Sequence, residues 1–283
     1  MNDPWPVGEP TSMTPQDTVE RALAAARRGG ETIVIADESS TANLRWAGNT
    51  LTTNGVAATR SLTVISVDRR ADGTAGVGMV ARSGVTPGQV EDLVREAEKA
   101  AAEASPAEDA ADLVTGAAGF RSDDSAWAAP ASGTDFSVFR SFAAQLGETL
   151  RGAEGAGRKL YGFAEHGVTA TFLGTSAGVR ARYDQPTGRL ELNAKSADLS
   201  RSAWDGAATR DFADVDVAAM DAGLAERLSW QSRQEIPIRF DGHSYSAGRR
   251  PRDNVGPVTL GRHSWLRPTR EIRLRVCAAH NLA

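Results

Sequence analysis

Residues Ala57–Arg82 read AATRSLTVISVDRRADGTAGVGMVAR, two apolar runs on either side of the dipeptide Asp72-Gly73. An Asp-Gly pair between alternating apolar residues is a strong signal for a tight hairpin turn. The segment therefore predicts two antiparallel strands, 57–67 and 74–82, with Leu62, Val64 and Val67 on the buried side. An antiparallel sheet is thus expected at the centre of the molecule.

Helical patterns flank this strand pair. Thr14 and Pro15 begin the first helix, which Gly29-Gly30 ends, and Thr86-Pro87-Gly88-Gln89 forms a capping box before the second helix. Further strands are predicted at Thr32–Asp37, Ala42–Ala47 and Thr50–Asn54, with Asn54-Gly55 as another hairpin turn.

The second half of the chain repeats the order of helix, strands and helix, but too loosely to indicate a duplication. A third helix is predicted from Asp135 to Arg151 and a fourth from Val215 to Trp230. The strands between them are predicted at Lys159–Glu165, Val168–Leu173, Val179–Asp184 and Arg189–Lys195.

The predicted fold class is α+β: a helix–antiparallel sheet–helix N-terminal unit, a second β-rich unit with helices, and an irregular C-terminal tail. The predicted domain boundaries are a disordered leader at 1–13, the first unit at 14–104, a connector at 105–134, the second unit at 135–233 and a tail at 234–283.

Composition limits the classes of function. The chain has 283 residues and a net charge of −4, which argues against nucleic acid as its main partner. A single cysteine excludes an internal disulfide framework. We find no secretory signal and no apolar run of the roughly 18 residues that span a bilayer. These features predict a cytoplasmic protein without a membrane or nucleic-acid partner.

Two glycine-containing motifs have a functional and a structural interpretation. Gly174–Gly178 matches the G-x-S-x-G pattern of serine hydrolases, with Ser176 as nucleophile, but a strand pattern follows it where a hydrolase has a helix. A hairpin turn is therefore favoured. Gly76–Ala81 partly matches a dinucleotide fingerprint, but it lies inside a predicted strand, where small residues indicate tight packing.

Candidate metal ligands are few. Residues 1–233 contain one histidine, His166, whose pairing with Glu165 indicates a surface or turn position. Cys277 and His280 have C-x-x-H spacing, but no second pair of ligands accompanies them in the sequence. Zinc sites need three or four clustered ligands. Four aspartates precede or enter the fourth helix, where helix capping is favoured over cation binding. They are Asp211, Asp214, Asp216 and Asp221.

Two interpretations are open for three tryptophans, which either line a peptide groove or fill the core: Trp46, Trp204 and Trp230. Burial of large aromatic side chains dominates the energetics of cores. The core is therefore favoured for all three.

Three stretches, in this order, carry a family resemblance: Leu44–Asn49 with Thr52–Gly55, then Thr171–Gly178, then Trp204–Gly206 followed by Arg210–Asp216. Over residues 14–233 the chain resembles the TldD/PmbA family of zinc-peptidase proteins. It is most similar to the TldE type, also called PmbA.

That resemblance implies a bacterial subunit that takes part in proteolysis of unfolded or small peptides. In the family, the TldD type carries a helical histidine–glutamate zinc motif, and the TldE type lacks it and pairs with the first. No residue here matches the motif. The resemblance therefore implies no catalytic residue and no metal ligand in this chain, and it assigns zinc to a TldD-like partner. It identifies no substrate-binding residue.

The tail departs from the resemblance after Gln234. It holds nine arginines, no lysine, the only cysteine and three of the four histidines. Family members continue instead into a β-rich C-terminal domain. One hypothesis is that the tail is an out-of-frame translation, from a mutation or a sequencing error, so that the product is truncated. Two functional alternatives remain open: a non-enzymatic peptide- or protein-binding module, and a serine hydrolase using Ser176.

Overall fold

The computed structural model describes residues 13–107, 109, 111–115 and 124–231, and the strand segments 235–238 and 272–275. The helices are α1 (Pro15–Ala25), α2 (Val90–Glu103), α3 (Asp124–Ala128), α4 (Arg140–Gly155) and α5 (Val217–Trp230). The strands are β1 (Glu31–Ala47), β2 (Thr50–Arg69), β3 (Ala75–Ser83), β4 (Arg158–Thr175), β5 (Arg180–Ser196), β6 (Ser202–Thr209), β7 (Glu235–Ile238) and β8 (Ile272–Arg275). None of the helices described is long and apolar enough to cross a membrane.

One antiparallel sheet joins both halves of the chain, in the strand order β3-β2-β1-β4-β5-β6. The order α1-β1-β2-β3-α2 recurs as α4-β4-β5-β6-α5. The first strand of each half, β1 and β4, pair with each other at the centre of the sheet. The α+β class is confirmed, and the recurrence that is loose in sequence is a clear structural repeat.

The first hairpin differs from the prediction. The β1–β2 turn is Gly48-Asn49, whose φ angles of 59° and 68° are the positive values that a two-residue type I′ turn requires. The predicted turn at Asn54-Gly55 is wrong, because these residues lie inside β2, where Asn54 pairs with Leu44. Because the chain already turns at Gly48-Asn49, Asn54-Gly55 continues the long strand β2.

The strands of the second half are also longer than predicted. β4 runs unbroken through the two predicted strands that it contains, and β6 was not predicted at all. The turn at Gly174–Gly178 is confirmed. Gly178 has a φ of 88° between β4 and β5, and its backbone N–H donates to the Thr175 carbonyl oxygen at 3.1 Å.

Buried and partly exposed side chains alternate along the strands, so the core lies on one face of the sheet. Even-numbered side chains of β1 from Thr32 to Trp46 are buried under the helices. One apolar cluster packs α1 and α2 on β1 and β2, and a larger one packs α4 and α5 on β4 and β5. Leu62 and Val64 face the first cluster as predicted, whereas Val67 points to the other face and Ser66 takes the buried position.

The predicted helix caps are confirmed. The Thr14 hydroxyl accepts a hydrogen bond from the Asp17 backbone N–H at the start of α1. The Thr86 capping box forms before α2. Such caps satisfy backbone donors that the helix itself leaves unpaired.

The end of the connector is a structured part of the molecule. Trp127 of α3 packs edge-on against Phe172, with ring centroids 5.6 Å apart. The Arg182 guanidinium donates to the carbonyl oxygens of Ala126, Ala129 and Pro130 at 2.8–3.0 Å. Its side chain is only 8% exposed, so this arginine attaches the connector to the face of the sheet that the helices cover.

The predicted leader falls mainly on residues outside the described part, and so does most of the predicted tail. Within the tail, β7 and β8 pair antiparallel. The out-of-frame hypothesis for residues 234–283 stays a prediction.

Candidate functional site

Ser176 lies in the β4–β5 hairpin turn and has a structural role. Its hydroxyl accepts from the Thr32 backbone N–H at 2.9 Å, and its own N–H donates to the Thr32 carbonyl oxygen at 2.9 Å. These bonds extend the β1–β4 pairing into the turn. His166 is ten residues earlier in the chain, a distance of roughly 30 Å along an extended strand. The structure therefore does not bring the two residues together.

We expect no labelling of the chain by a fluorophosphonate probe. Replacement of Ser176 by alanine should instead lower the free energy of unfolding by about 1 kcal/mol, because one backbone donor loses its acceptor. Urea denaturation of the two proteins measures this change. Probe labelling that disappears in Ser176→Ala would restore the hydrolase alternative.

His166 is a buried structural residue, so its predicted surface position is wrong. It is 5% exposed, inside β4. Its Nε2 donates to the Arg210 carbonyl oxygen at 2.7 Å, and its Nδ1 shares a hydrogen bond with the Thr134 hydroxyl, also at 2.7 Å. The sequence did contain an indication of this burial. His166 is two residues from both Ala164 and Val168, so all three side chains lie on the same, buried face of β4.

The glycines of β3 allow close packing, as predicted. A Cβ atom on Gly78 would stand 2.2 Å from the Ala97 carbonyl oxygen, and one on Gly76 would stand 2.0 Å from that of Ala101. The backbone of α2 therefore lies directly on this strand. A cofactor site would need a helix N-terminus after the strand at this point, and the glycines are already used for helix packing.

The four aspartates around α5 do not converge on one point. Asp216 caps α5 through the Ala219 N–H at 2.9 Å, so the predicted capping is confirmed for this residue. Asp211 accepts from the Ala213 N–H at 3.0 Å in the turn that precedes the helix. Asp214 accepts from the Thr209 hydroxyl. Asp221 pairs with Arg158 at 2.6 Å.

A cleft of about 630 Å³ lies between α4 and α5, and Asp214, Asp216, Asp221 and Glu148 line it. Most of these carboxylates already have structural partners. Among the described residues, no three His, Cys, Asp or Glu side chains are grouped to hold a metal ion. Cys277 and His280 lie outside the described residues.

Two of the three candidate core tryptophans are on the surface. Trp46 is 2% exposed, as predicted, and it lies over Gly162 of the neighbouring strand. Trp204 is 56% exposed and Trp230 is 47% exposed, so the prediction is wrong for both. Trp204 occupies an even position on β6, where the odd residues face the core, and periodicity did not identify that strand.

The face of the sheet opposite the helices is the strongest candidate for an interaction site. We call it the open face; it consists of the odd-numbered residues of β1, β4 and β5 and the even-numbered residues of β6. The two apolar clusters with which the described helices pack contain buried residues of the other face. Half-buried aliphatic residues lie at one end of the open face, near Ile33 and Ile35.

At the other end of the open face, cationic and aromatic side chains meet. Two guanidinium groups lie over the Phe163 ring, that of Arg189 at 4.8 Å and that of Arg45 at 5.7 Å from the centroid. The Lys195 ammonium lies 5.1 Å from the Tyr161 ring centroid. Sequence reasoning missed this group because its members come from separate strands whose register was unknown.

No family model and no curated protein matches the chain. Solved structures with a similar fold include the following two. TldE from Thermococcus kodakarensis is 13% identical with a TM-score of 0.55, and the match covers 77% of this chain and 49% of that one. A proposed modulator of a DNA gyrase from Thermotoga maritima is 14% identical with a TM-score of 0.56, covering 79% and 51%. This chain therefore spans about half the length of each structure that it matches.

Proposed function

We propose that this chain is a TldE/PmbA-like subunit that supports peptide proteolysis by a zinc-bearing TldD-like partner. The observation that carries the proposal is the agreement of two signals. Stretches in residues 44–55, 171–178 and 204–216 resemble that family in their order, and the folded body has the fold of TldE. Since the chain spans about half of that structure, the partner and the activity of the whole protein belong to the proposal.

The arrangement of the sheet supports a role in assembly. The described helices pack on one face of the sheet, and the open face offers a broad surface of half-buried side chains. A subunit of this kind contributes a wall of the substrate cavity or an interface with the partner. The partner contributes zinc and the activated water that hydrolyses the peptide bond. Ser176 and His166 are both engaged in structural hydrogen bonds, which leaves the chemistry to the partner.

Co-expression with a TldD-like subunit from the same organism tests the proposal. We expect the two chains to co-purify as a complex that binds zinc and cleaves casein, while this chain alone does not cleave it. A partner variant without its zinc-motif histidines should still co-purify but should lose cleavage. Separate elution of the two chains would overturn the proposal, and so would chelator-sensitive cleavage by this chain alone.

A non-enzymatic binding module is the second candidate, because cationic and aromatic side chains meet at one end of the open face, a combination that suits recognition of a peptide. The same co-expression experiment separates the two functions. A binding module would retain a peptide without forming a complex with a peptidase.

A further inference from the structure

The basic–aromatic cluster of the open face consists of four cations and three aromatic residues that converge from four strands. Its members are Arg45, Lys159, Tyr161, Phe163, Arg189, Lys195 and Trp204. We propose that this cluster binds an acidic, extended peptide segment. The inference does not rest on the proposed function, since the surface belongs to this chain alone.

Charge is the first argument. The whole chain has a net charge of −4, yet the cluster gathers four cations. Two carboxylates lie among them: Glu165, 3.5 Å from Arg189, and Glu191, which pairs with Phe163 across the strands. The cluster therefore keeps an excess of positive charge on an acidic protein, which favours a negatively charged ligand.

A like-charge pair is the second argument. Lys159 and Lys195 are directly opposite each other in the β4–β5 register, and this arrangement destabilises a sheet. The Lys195 ammonium turns to the Tyr161 ring. No acidic side chain lies between the two lysines in the register, so an external carboxylate would relieve the repulsion.

The shape of the cluster is the third argument and indicates an extended ligand. Arg189 and Lys195 are six residues apart on β5, so their Cα atoms are roughly 20 Å apart. The rings of Phe163 and Tyr161 lie between these cations on the adjacent strand. Because the Arg189 guanidinium lies over one of these rings and the Lys195 ammonium over the other, the two cations follow the strand direction, and an extended peptide along this direction would place a carboxylate near each of them.

Trp204 extends this surface onto β6. Its ring lies over Gly206, where an added Cβ would be 2.7 Å from Cζ2 of the indole. Trp204 is opposite Asn193 in the register and is 56% exposed. A tryptophan side chain offers a large aromatic surface with only two rotatable bonds, so it loses little conformational entropy when a ligand covers it.

Fluorescence anisotropy on the full chain tests the inference, with a fluorescein-labelled peptide of alternating glutamate and serine as the probe. We expect saturable binding that weakens as salt is added, because the contacts are between exposed charges. A peptide of alternating lysine and serine should not bind.

The informative variant is the double substitution Lys159→Gln and Lys195→Gln. It should weaken binding of the acidic peptide by about tenfold. Its melting temperature should stay the same or rise, because the like-charge repulsion has gone. A purely structural pair of lysines would give the opposite result, with lower stability and unchanged binding. The matched control, Arg28→Gln with Arg151→Gln, removes two exposed cations outside the cluster and should bind as the wild type does.

Three results would overturn the inference: no binding by the wild type, full binding by the double lysine variant, or tighter binding of single-stranded DNA than of the acidic peptide. The last result would make the surface a nucleic-acid site. Because the measurement uses this chain without a peptidase partner, its failure leaves the proposed function untouched. Failure of the co-expression experiment likewise leaves this inference untouched.

Discussion

Gly78→Val is expected to lower the free energy of unfolding by about 4 kcal/mol, a large part of the stability of a typical domain. The added Cβ alone would stand 2.2 Å from the Ala97 carbonyl oxygen and 2.3 Å from the Ala101 backbone nitrogen. Both atoms belong to the backbone of α2, which cannot yield as a side chain can. The helix must therefore move away from β3, and Leu93 and Val94 would lose part of their burial.

Chemical denaturation of Gly78→Val and wild type measures this loss. The matched control is Gly223→Ala in α5, where an added Cβ meets nothing within 4 Å. That control should be neutral or stabilise the protein by up to about 1 kcal/mol, because alanine favours the helix. Equal stability of Gly78→Val and wild type would contradict the close contact between α2 and β3.

Arg182→Ala is expected to lower the free energy of unfolding by about 3 kcal/mol at neutral pH. The substitution removes the hydrogen bonds that the guanidinium donates to the carbonyl oxygens of Ala126, Ala129 and Pro130, and it removes a cation 5.0 Å from the Phe172 ring centroid. Lysine at this position should recover only part of the loss, because an ammonium cannot donate in the planar fork of a guanidinium.

The effect of Arg182→Ala should depend on pH. Burial alone would raise the pKa of Asp184, but hydrogen bonds from Arg182 and Ser132 outweigh it and hold that pKa below its ordinary value. A depressed folded-state pKa stabilises the protein above the unfolded pKa, and this contribution is lost as the pH falls through the folded value. The difference between wild type and variant should therefore shrink below about pH 4.

Urea titrations at about pH 7 and about pH 3.5 measure both effects. Limited proteolysis adds a local readout, since loss of Arg182 should expose the connector around Trp127 to cleavage first. Arg151→Ala, at an exposed position of α4, is the control and should change neither result. A stability difference that is the same at both pH values would contradict the role of Asp184.

The local signals in the sequence predicted the elements that they directly encode. The cap at Thr14 predicted the start of α1, and Asp72-Gly73 predicted the β2–β3 turn. The capping box at Thr86 begins the short 3-10 turn Pro87–Gln89, which leads into α2 at Val90. These features depend on a few neighbouring residues and their hydrogen bonds, so they can be predicted from a short stretch of sequence. The packing role of Gly76 and Gly78 was predictable because glycines inside a strand indicate close approach of another element.

The features that depend on register could not be predicted in this way. Asn54-Gly55 has the composition of a turn, and only the prior turn at Gly48-Asn49 places it inside β2. The strand around Trp204 lacks apolar alternation because its exposed positions hold tryptophan, glycine and alanine. The basic–aromatic cluster exists only because β4 and β5 pair in one register, which sets Lys159 opposite Lys195.

The central pairing of β1 with β4 has a consequence for biosynthesis. The first half leaves the ribosome with β1, a strand of 17 residues, as a bare edge, because its partner is encoded more than one hundred residues later. At ordinary rates of translation that edge waits on the order of ten seconds for β4. During this interval two nascent chains on the same messenger can associate through their unpaired strands. Slower translation between β1 and β4 should therefore increase association between nascent chains.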